Sequence, residues 1–223
     1  MSAGNSVLED VRRALGRKIT MAPEALASFI EPPQETDLTA RIARFISEAT
    51  AVRARVHRCS QLQLVEKIAE ICAPLSGALA LSQSSLFRQS ELKRELEARG
   101  LSVFDGCELD HGQLTAQLAD CAAGLTAADY AIAETGTIAL SSDERNSLLV
   151  SLLPPVHIAV IQAEQISATL AEAISLIGTE RTGRSDPARS VSFITGPSRT
   201  SDVELVLSIS VHGPKEVHVI ILE

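Results

Sequence analysis

Residues 154–178 read PPVHIAVIQAEQISATLAEAISLIG, and this stretch decides the fold. Val156 to Ile161 is an apolar run of strand length, and Pro154-Pro155 stop whatever precedes it. Ile166, Leu170, Ile174 and Ile177 then recur at helical spacing, with Gly178 as the stop. A buried strand followed by an amphipathic helix is half of a βαβ unit, which points to parallel neighbours.

The alternation continues outward in both directions. Upstream, Leu38, Ile42, Phe45, Ile46 and Ala49 mark a helix beginning near Thr36, and Val52, Ala54 and Val56 alternate as a strand. Leu62, Val65, Ile68, Ala69 and Cys72 form a second helix face, and Gly77 to Leu81 is a short buried strand. A third helix covers about 85–99, with Glu95 and Arg99 four apart and Gly100 closing it. Leu101 to Phe104 reads as a strand and Gln113 to Ala122 as a helix. Tyr130 to Ala133 and Thr137 to Leu140 are two strands about a turn at Glu134-Thr135-Gly136, and Ser147 to Leu153 is helical. Downstream, 179–189 is a surface loop, Val191 to Ile194 a strand, Ser201 to Leu207 a helix and Val217 to Leu222 the last strand. The order predicts an α/β fold: a mostly parallel open sheet flanked by helices on both faces. Ligands of such sheets bind outside the carboxyl ends of strands, so loops that follow strands draw attention.

Composition agrees. At 223 residues the chain suits one core with an appendage, and 45% apolar content excludes wholesale disorder. Only 3% is aromatic, so Leu, Ile, Val and Ala must fill the core. Residues 1–35 are expected to form an N-terminal helical arm and linker: Val7, Leu8, Val11 and Leu15 share a helix side, and Pro23, Pro32 and Pro33 keep the linker irregular. The arm packs on the domain or on a second subunit of a homodimer. Residues 36–223 form the main domain. With 20 basic and 28 acidic residues the charge is −8, which argues against nucleic acid as a partner. Cys59, Cys72, Cys107 and Cys121 include no C-x-x-C pair, so neither a metal nor an iron–sulfur cofactor is expected in this chain. No run reaches the length of a membrane span, and the amphipathic start lacks a signal-peptide core, so a cytoplasmic protein with reduced thiols is expected.

Three segments could carry chemistry. In Thr195-Gly196-Pro197-Ser198-Arg199-Thr200-Ser201-Asp202-Val203-Glu204, a strand runs through a Gly-Pro turn into the expected helix, with Ser201 and Glu204 at capping-box spacing. The helix start favours an anion, and Arg199 could grip it through two N–H groups, with Ser198 and Thr200 adding hydroxyls. The plainer reading is a capped helix with a solvated arginine. In Glu134-Thr135-Gly136-Thr137, an acid after an apolar strand and a glycine that admits close backbone approach suit an acid, base or nucleophile, against a plain tight turn. In Val211-His212-Gly213-Pro214, a histidine titrating near neutrality sits on a turn before the last strand. His157 reads as a satisfied core histidine, and His57, His111 and His218 show no metal-ligand spacing. No P-loop, G-x-G-x-x-G or G-x-S-x-G occurs.

Together, Glu134 to Thr137, Gly196 to Glu204 and Val211 to Val219 resemble the LUD-domain family, in its single-domain lactate-utilisation group. The resemblance runs from about Asp129 to the C-terminus, and departs at Ser201, where Ala is usual, and at Ser210, where Gly is frequent. It implies a fold similar to the glucosamine-phosphate isomerase, ribose-phosphate isomerase and CoA-transferase group. It also implies a place in oxidation of L-lactate to pyruvate, beside partner subunits that carry the iron–sulfur clusters. By strand-end position and motif, and not by the resemblance, Glu134 and His212 are the candidate catalytic residues. Thr135, Gly136, Thr137, Gly196, Ser198, Arg199, Thr200, Asp202 and Gly213 are candidates for binding a small anion such as lactate. A stand-alone isomerase or CoA-transferase-like enzyme and a non-catalytic assembly subunit remain the competing readings.

Overall fold

The computed structural model describes residues 13–14, 37–84, 86–87, 91–105, 111–142, 148–182, 190–201, 207–209 and 213–223, with backbone alone at 111, 179–182, 199–201 and 207–209. The chain divides into two compact units, Met1–Pro33 and Gln34–Glu223, and the second holds nearly all described elements.

Six parallel strands form the main sheet: β1 (Arg55–Cys59), β2 (Leu79–Leu81), β3 (Val103–Asp105), β4 (Ala123–Ala127), β7 (Val156–Gln162) and β12 (Glu216–Leu222). Their spatial order is β1-β12-β7-β4-β2-β3. Central β7 pairs Ile158 with His218 on one side and with Leu125 on the other. Both its faces are covered, which is why 156–161 reads as an unbroken apolar run.

Helices cover both faces. On the first, α2 (Leu64–Cys72) and α3 (Leu92–Ala98) bury Leu64, Ile68, Leu92 and Leu96 against Leu79, Leu81, Leu125, Ile158 and Ile220. On the second, α4 (His111–Ala119) and α5 (Leu149–Leu152) pack Leu118 and Val150 on Ala80. The other half of that face receives α1 (Leu38–Ala51) and a second sheet. This second sheet holds β5 (Tyr130–Ile132), β6 (Thr137–Ser142), β8 (Ile166–Ser167) and β9 (Ser190–Ile194), in the order β8-β5-β6-β9. One of its faces packs Ala131, Ile138 and Leu140 on α1 and the main sheet, through Phe45, Ile161 and Val219. Its other face packs Ile132 and Ala139 under α6 (Leu170–Thr182). Among the described residues no helix is long and apolar enough to cross a membrane.

The mostly parallel sheet and two-sided helical cover are as the sequence predicts; four local readings change. Val52 and Ala54 belong to no strand. Arg53 adopts φ +70 and ends α1, with its N–H on Thr50 O (2.9 Å) and that of Ala54 on Ala49 O (2.9 Å). This is the usual glycine-type helix ending made with an arginine, and it mimics alternation. Central strand β4 has no forerunner in the sequence reading, because AGLTA lacks large branched residues. Its Gly124 is required: a Cβ there would lie 1.8 Å from Val150 O of α5. Helix α6 starts at Leu170, since Ile166 and Ser167 pair with β5, and it runs through Gly178 to Thr182 into the expected loop. Finally, Ser201 and Leu207, the two ends of the expected helix, both lie on strands, and 202–206 fall outside the described residues. β10 (Arg199–Ser201) and β11 (Leu207–Ile209) pair antiparallel, with Ser201 opposite Leu207. Val203, Leu205, Leu207, Ile209 and Val211 alternate at period two, and that pattern outweighs a capping pair.

His157 is fully buried on β7, with Nε2 2.8 Å from Thr126 Oγ1 and Nδ1 unpartnered. Burial pushes its pKa down to about 3 from 6.5. Burial also lowers His57 and His218. A folded pKa below the unfolded one means that the unfolded chain protonates first. The stabilisation is whole above about 6.5 and is lost as pH falls toward 3. Urea midpoints should therefore drop already between about pH 6.5 and 5, where most carboxylates stay ionised. His157→Gln should flatten that slope, and a slope unchanged in this variant would contradict the assignment.

Candidate functional site

The turn joining β5 to β6 carries Glu134 to Thr137. Thr135 and Gly136 both direct N–H groups at Ile132 O, and Gly136 takes φ +63 to close the turn. A Cβ on Gly136 would lie 2.2 Å from Ala49 N, so the turn backbone rests on the last turn of α1. Gly196, after β9, takes φ +72 and approaches the same helix end, where a Cβ would meet Val52 O at 2.4 Å. Hydroxyls tie the two turns together. Thr135 Oγ1 donates to Thr137 Oγ1 (2.7 Å), which lies 2.7 Å from Thr195 Oγ1. The third segment joins through Ser198, whose N–H donates to Pro214 O at 3.0 Å, while a Cβ on Gly213 would touch Ser198 Cβ at 3.2 Å.

Six of the candidate residues thus converge: Thr135, Gly136, Thr137, Gly196, Ser198 and Gly213. They gather beside the start of the main strands. α1 ends just before β1, Pro214 precedes β12, and the Lys215 N–H donates to Pro155 O (2.7 Å) just before β7. The sequence pointed to carboxyl ends instead, because Thr137 and Gly196 flank strands of the second sheet. Arg199 and Thr200 lie on β10, paired with Ile209 and Ser208, so Arg199 stands on a strand and not at the expected helix start. Asp202 and His212 lie outside the described residues.

Glu134 faces a different element. Its Oε1 accepts the Leu170 N–H at 2.7 Å, at the free N-terminus of α6, and its own N–H donates to Ala168 O at 3.2 Å. Thr169 Oγ1 accepts the Glu172 N–H (3.2 Å) and Glu172 returns a bond to the Ala168 N–H (2.7 Å), so the same end is capped twice. A carboxylate at this position meets the positive end of the helix dipole. Thr169 to Glu172 carries the capping-box signature and could have marked the helix start; Glu134, from another element, could not.

The structure also joins residues that no spacing suggested. His57 Nε2 stands 3.1 Å from His218 Nδ1 across β1 and β12, and Glu216, 3.5 Å from His218, pairs with Arg55 at 2.8 Å. Only the strand register reveals this pair. Among the described residues, no three His, Cys, Asp or Glu side chains are placed to hold a metal. Two cavities lie away from the converging segments. One, of about 540 Å³, opens at the amino ends of β2 and β4 beside Cys72 and Arg99. The other, of about 440 Å³, opens at the carboxyl ends of β2 and β3.

Two sets of substitutions test this geometry. Gly136→Ala combines a left-handed backbone with a backbone clash and should cost about 3 kcal/mol or more. Gly178→Ala, on α6 with nothing within 4 Å of the new Cβ, should gain up to about 1 kcal/mol. Chemical denaturation that ranked the two alike would contradict the close approach. Glu134→Ala should cost about 1 kcal/mol through the lost cap, whereas Glu134→Gln keeps an accepting oxygen and should cost less.

A sequence model of the LUD domain matches residues 42–222. Lactate utilization protein C of Exiguobacterium sp. is 26% identical over 221 residues, covering 96% of this chain and 94% of that protein. The protein of the same name from Oceanobacillus iheyensis is 32% identical over 127 residues, 57% of this chain and 54% of that one. The crystal structure of a DUF162 family protein from Deinococcus radiodurans superposes with a TM-score of 0.60 at 22% identity, covering 84% of this chain and 99% of that chain, and it shares the fold. With the family match spanning both sheets and all three converging segments, the chain belongs to the LUD domain family.

Proposed function

We propose that this protein is a component of an L-lactate utilisation system. It supports oxidation of L-lactate to pyruvate beside partner proteins that hold the iron–sulfur clusters, and it binds a small anion such as lactate at the converging turns. Support comes from similarity to proteins named lactate utilization protein C along nearly the whole chain. The local support is the hydroxyl chain Thr135–Thr137–Thr195, set where the stem of the β10–β11 hairpin leaves Ser198. In this reading Arg199 and Thr200 meet the carboxylate from the stem, and Asp202, Gly213 and His212 complete the site from the adjoining segments. Glu134, already bonded to α6, fixes the wall of the site. Its carboxylate sits on an N–H donor, which lowers its power as a nucleophile and weighs against the stand-alone transferase reading.

A second reading, that of an assembly subunit, draws on one observation. Leu170, Ile174 and Leu176 of α6 and Phe193 of β9 are exposed, the kind of apolar surface that partners cover.

Growth separates the two. In a strain lacking its own copy, Arg199→Lys keeps the charge but loses the planar fork. It should slow growth on L-lactate sharply, leave growth on pyruvate untouched and leave the melting temperature unchanged. Normal growth of this variant on lactate would remove Arg199 from the site. Loss of growth with Ile174→Ser and not with Arg199→Lys would favour assembly.

A further inference from the structure

The geometry points to a second ligand site, for the cis-diol of a ribose unit, in the cavity at the carboxyl ends of β2 and β3. It is independent of the lactate reading and shares no residue with the converging turns. The cavity of about 440 Å³ is of small-ligand size, and Ser82, Gln83, Phe87, Lys93, Arg94 and Asp105 are among its walls.

Four observations carry the inference. The first is position. β2 and β4 are adjacent and parallel, yet they send the chain to opposite faces: β2 leads toward α3 on the first face, and β4 leads to β5 on the second. Open α/β sheets bind ligands outside the carboxyl ends beside such a divergence, and the cavity borders it on the β3 side of β2, with walls from β2, β3 and the segment between them and none from β4. The Ser82 N–H donates to Leu125 O there, at 2.9 Å. The second is an unmet polar group. Ser82 is only 4% exposed, and its Oγ has no hydrogen-bond partner. A buried hydroxyl left alone is costly, and a ligand hydroxyl would satisfy it.

The third is the acid. β2, α3 and β3 make a parallel βαβ unit in which Leu81 pairs with Asp105. Asp105 therefore ends the second strand, about twenty residues past the first, where an acid in dinucleotide-binding folds accepts hydrogen bonds from ribose hydroxyls. The Gln83 side-chain amide donates to Asp105 Oδ1 and so orients the carboxylate. The fourth observation limits the ligand. The described turn residues after β2 are Ser82, Gln83 and Ser84, where a dinucleotide site needs glycines to bring the backbone against a pyrophosphate. The cavity thus suits one sugar unit or nucleoside, with buried Phe87 as an apolar wall and Lys93 at the rim.

Calorimetric titration of the full chain with adenosine, ribose and 2′-deoxyadenosine tests this. Adenosine should bind, and 2′-deoxyadenosine should bind about tenfold more weakly, the worth of one hydrogen bond to a charged acceptor. Ribose binding as well would show that the free sugar suffices; adenosine alone would show that the base contributes. Asp105→Asn should weaken adenosine by about tenfold or more at an unchanged melting temperature. Should that variant unfold, Gln83→Ala takes its place with the same expected loss. Absence of heat from both adenosine and ribose at millimolar concentration, equal affinity for the deoxynucleoside, or full affinity in the folded variants would overturn the proposal. None of these outcomes bears on the lactate growth assay.

Discussion

The last turn of α1 is the point on which the domain is assembled. Its backbone occupies the space that a Cβ of Gly136 would need, and its end does the same for Gly196. Both contacts are backbone on backbone, so neither can yield by a side-chain rotation. They hold the second sheet at one distance from the first, and that distance sets the core between them. Phe45 and Ala49 of α1 are wholly buried there, with Ile138 and Leu140 from one sheet and Ile161 and Val219 from the other. The small residues on the second sheet, Ala131 and Ala133, belong to the same logic: with a helix wedged so close, larger side chains would have no room. Arg53 takes part in this arrangement as well. Its left-handed φ stops α1 within a residue of the Gly196 contact and turns the chain into β1.

Much of the main sheet was legible because its strands are buried on both faces. Val156 to Ile161 and Val217 to Leu222 announce themselves as apolar runs, and the helices over them carry clear stripes. β4 was not legible. It is central, but Gly124 is small because α5 comes within contact of its backbone, Ala123 and Ala127 are small on the face under α2 and α3, and small residues carry no periodic signal. The hairpin after Gly196 failed for the opposite reason, since two true signals compete. Ser201 and Glu204 stand at capping distance, while odd-numbered apolar residues from Val203 to Val211 alternate. A capping pair contributes about 1 kcal/mol, and an alternating face can contribute several times that, in keeping with the strands at Ser201 and Leu207–Ile209.

The candidate residues were legible as a group, though less so in their roles. Gly136 stood out as a glycine that admits close approach and Gly196 as part of a Gly-Pro turn, and α1 lies against both. Glu134 stood out as an acid at a strand end, and the group it meets is the free N-terminus of α6. In both cases the neighbour comes from distant sequence, which a local reading does not supply. The same holds for His57 and His218. Nothing in their spacing brings them together; two parallel strands placed in register do.

The two ends of the main sheet consequently have different characters. At the amino ends of β1, β7 and β12, the converging turns are tied to each other and to α1 by close backbone contacts and hydroxyl bonds, which makes a stiff frame. Stiffness there is what an attached hairpin needs if residues on its stem are to meet a ligand or a partner at a fixed angle. At the carboxyl ends of β2 and β3, polar side chains instead surround open space, and Ser82 stays buried without a partner. A fold keeps such a cost when something offsets it, and the geometry that leaves Ser82 unmet also leaves the cavity beside it. The motif segments that identify the family therefore lie at the amino ends of β1, β7 and β12, apart from the open cavity at the carboxyl ends of β2 and β3. Family resemblance alone, which runs through Gly136 and Gly196, would have directed every experiment to one side of this sheet.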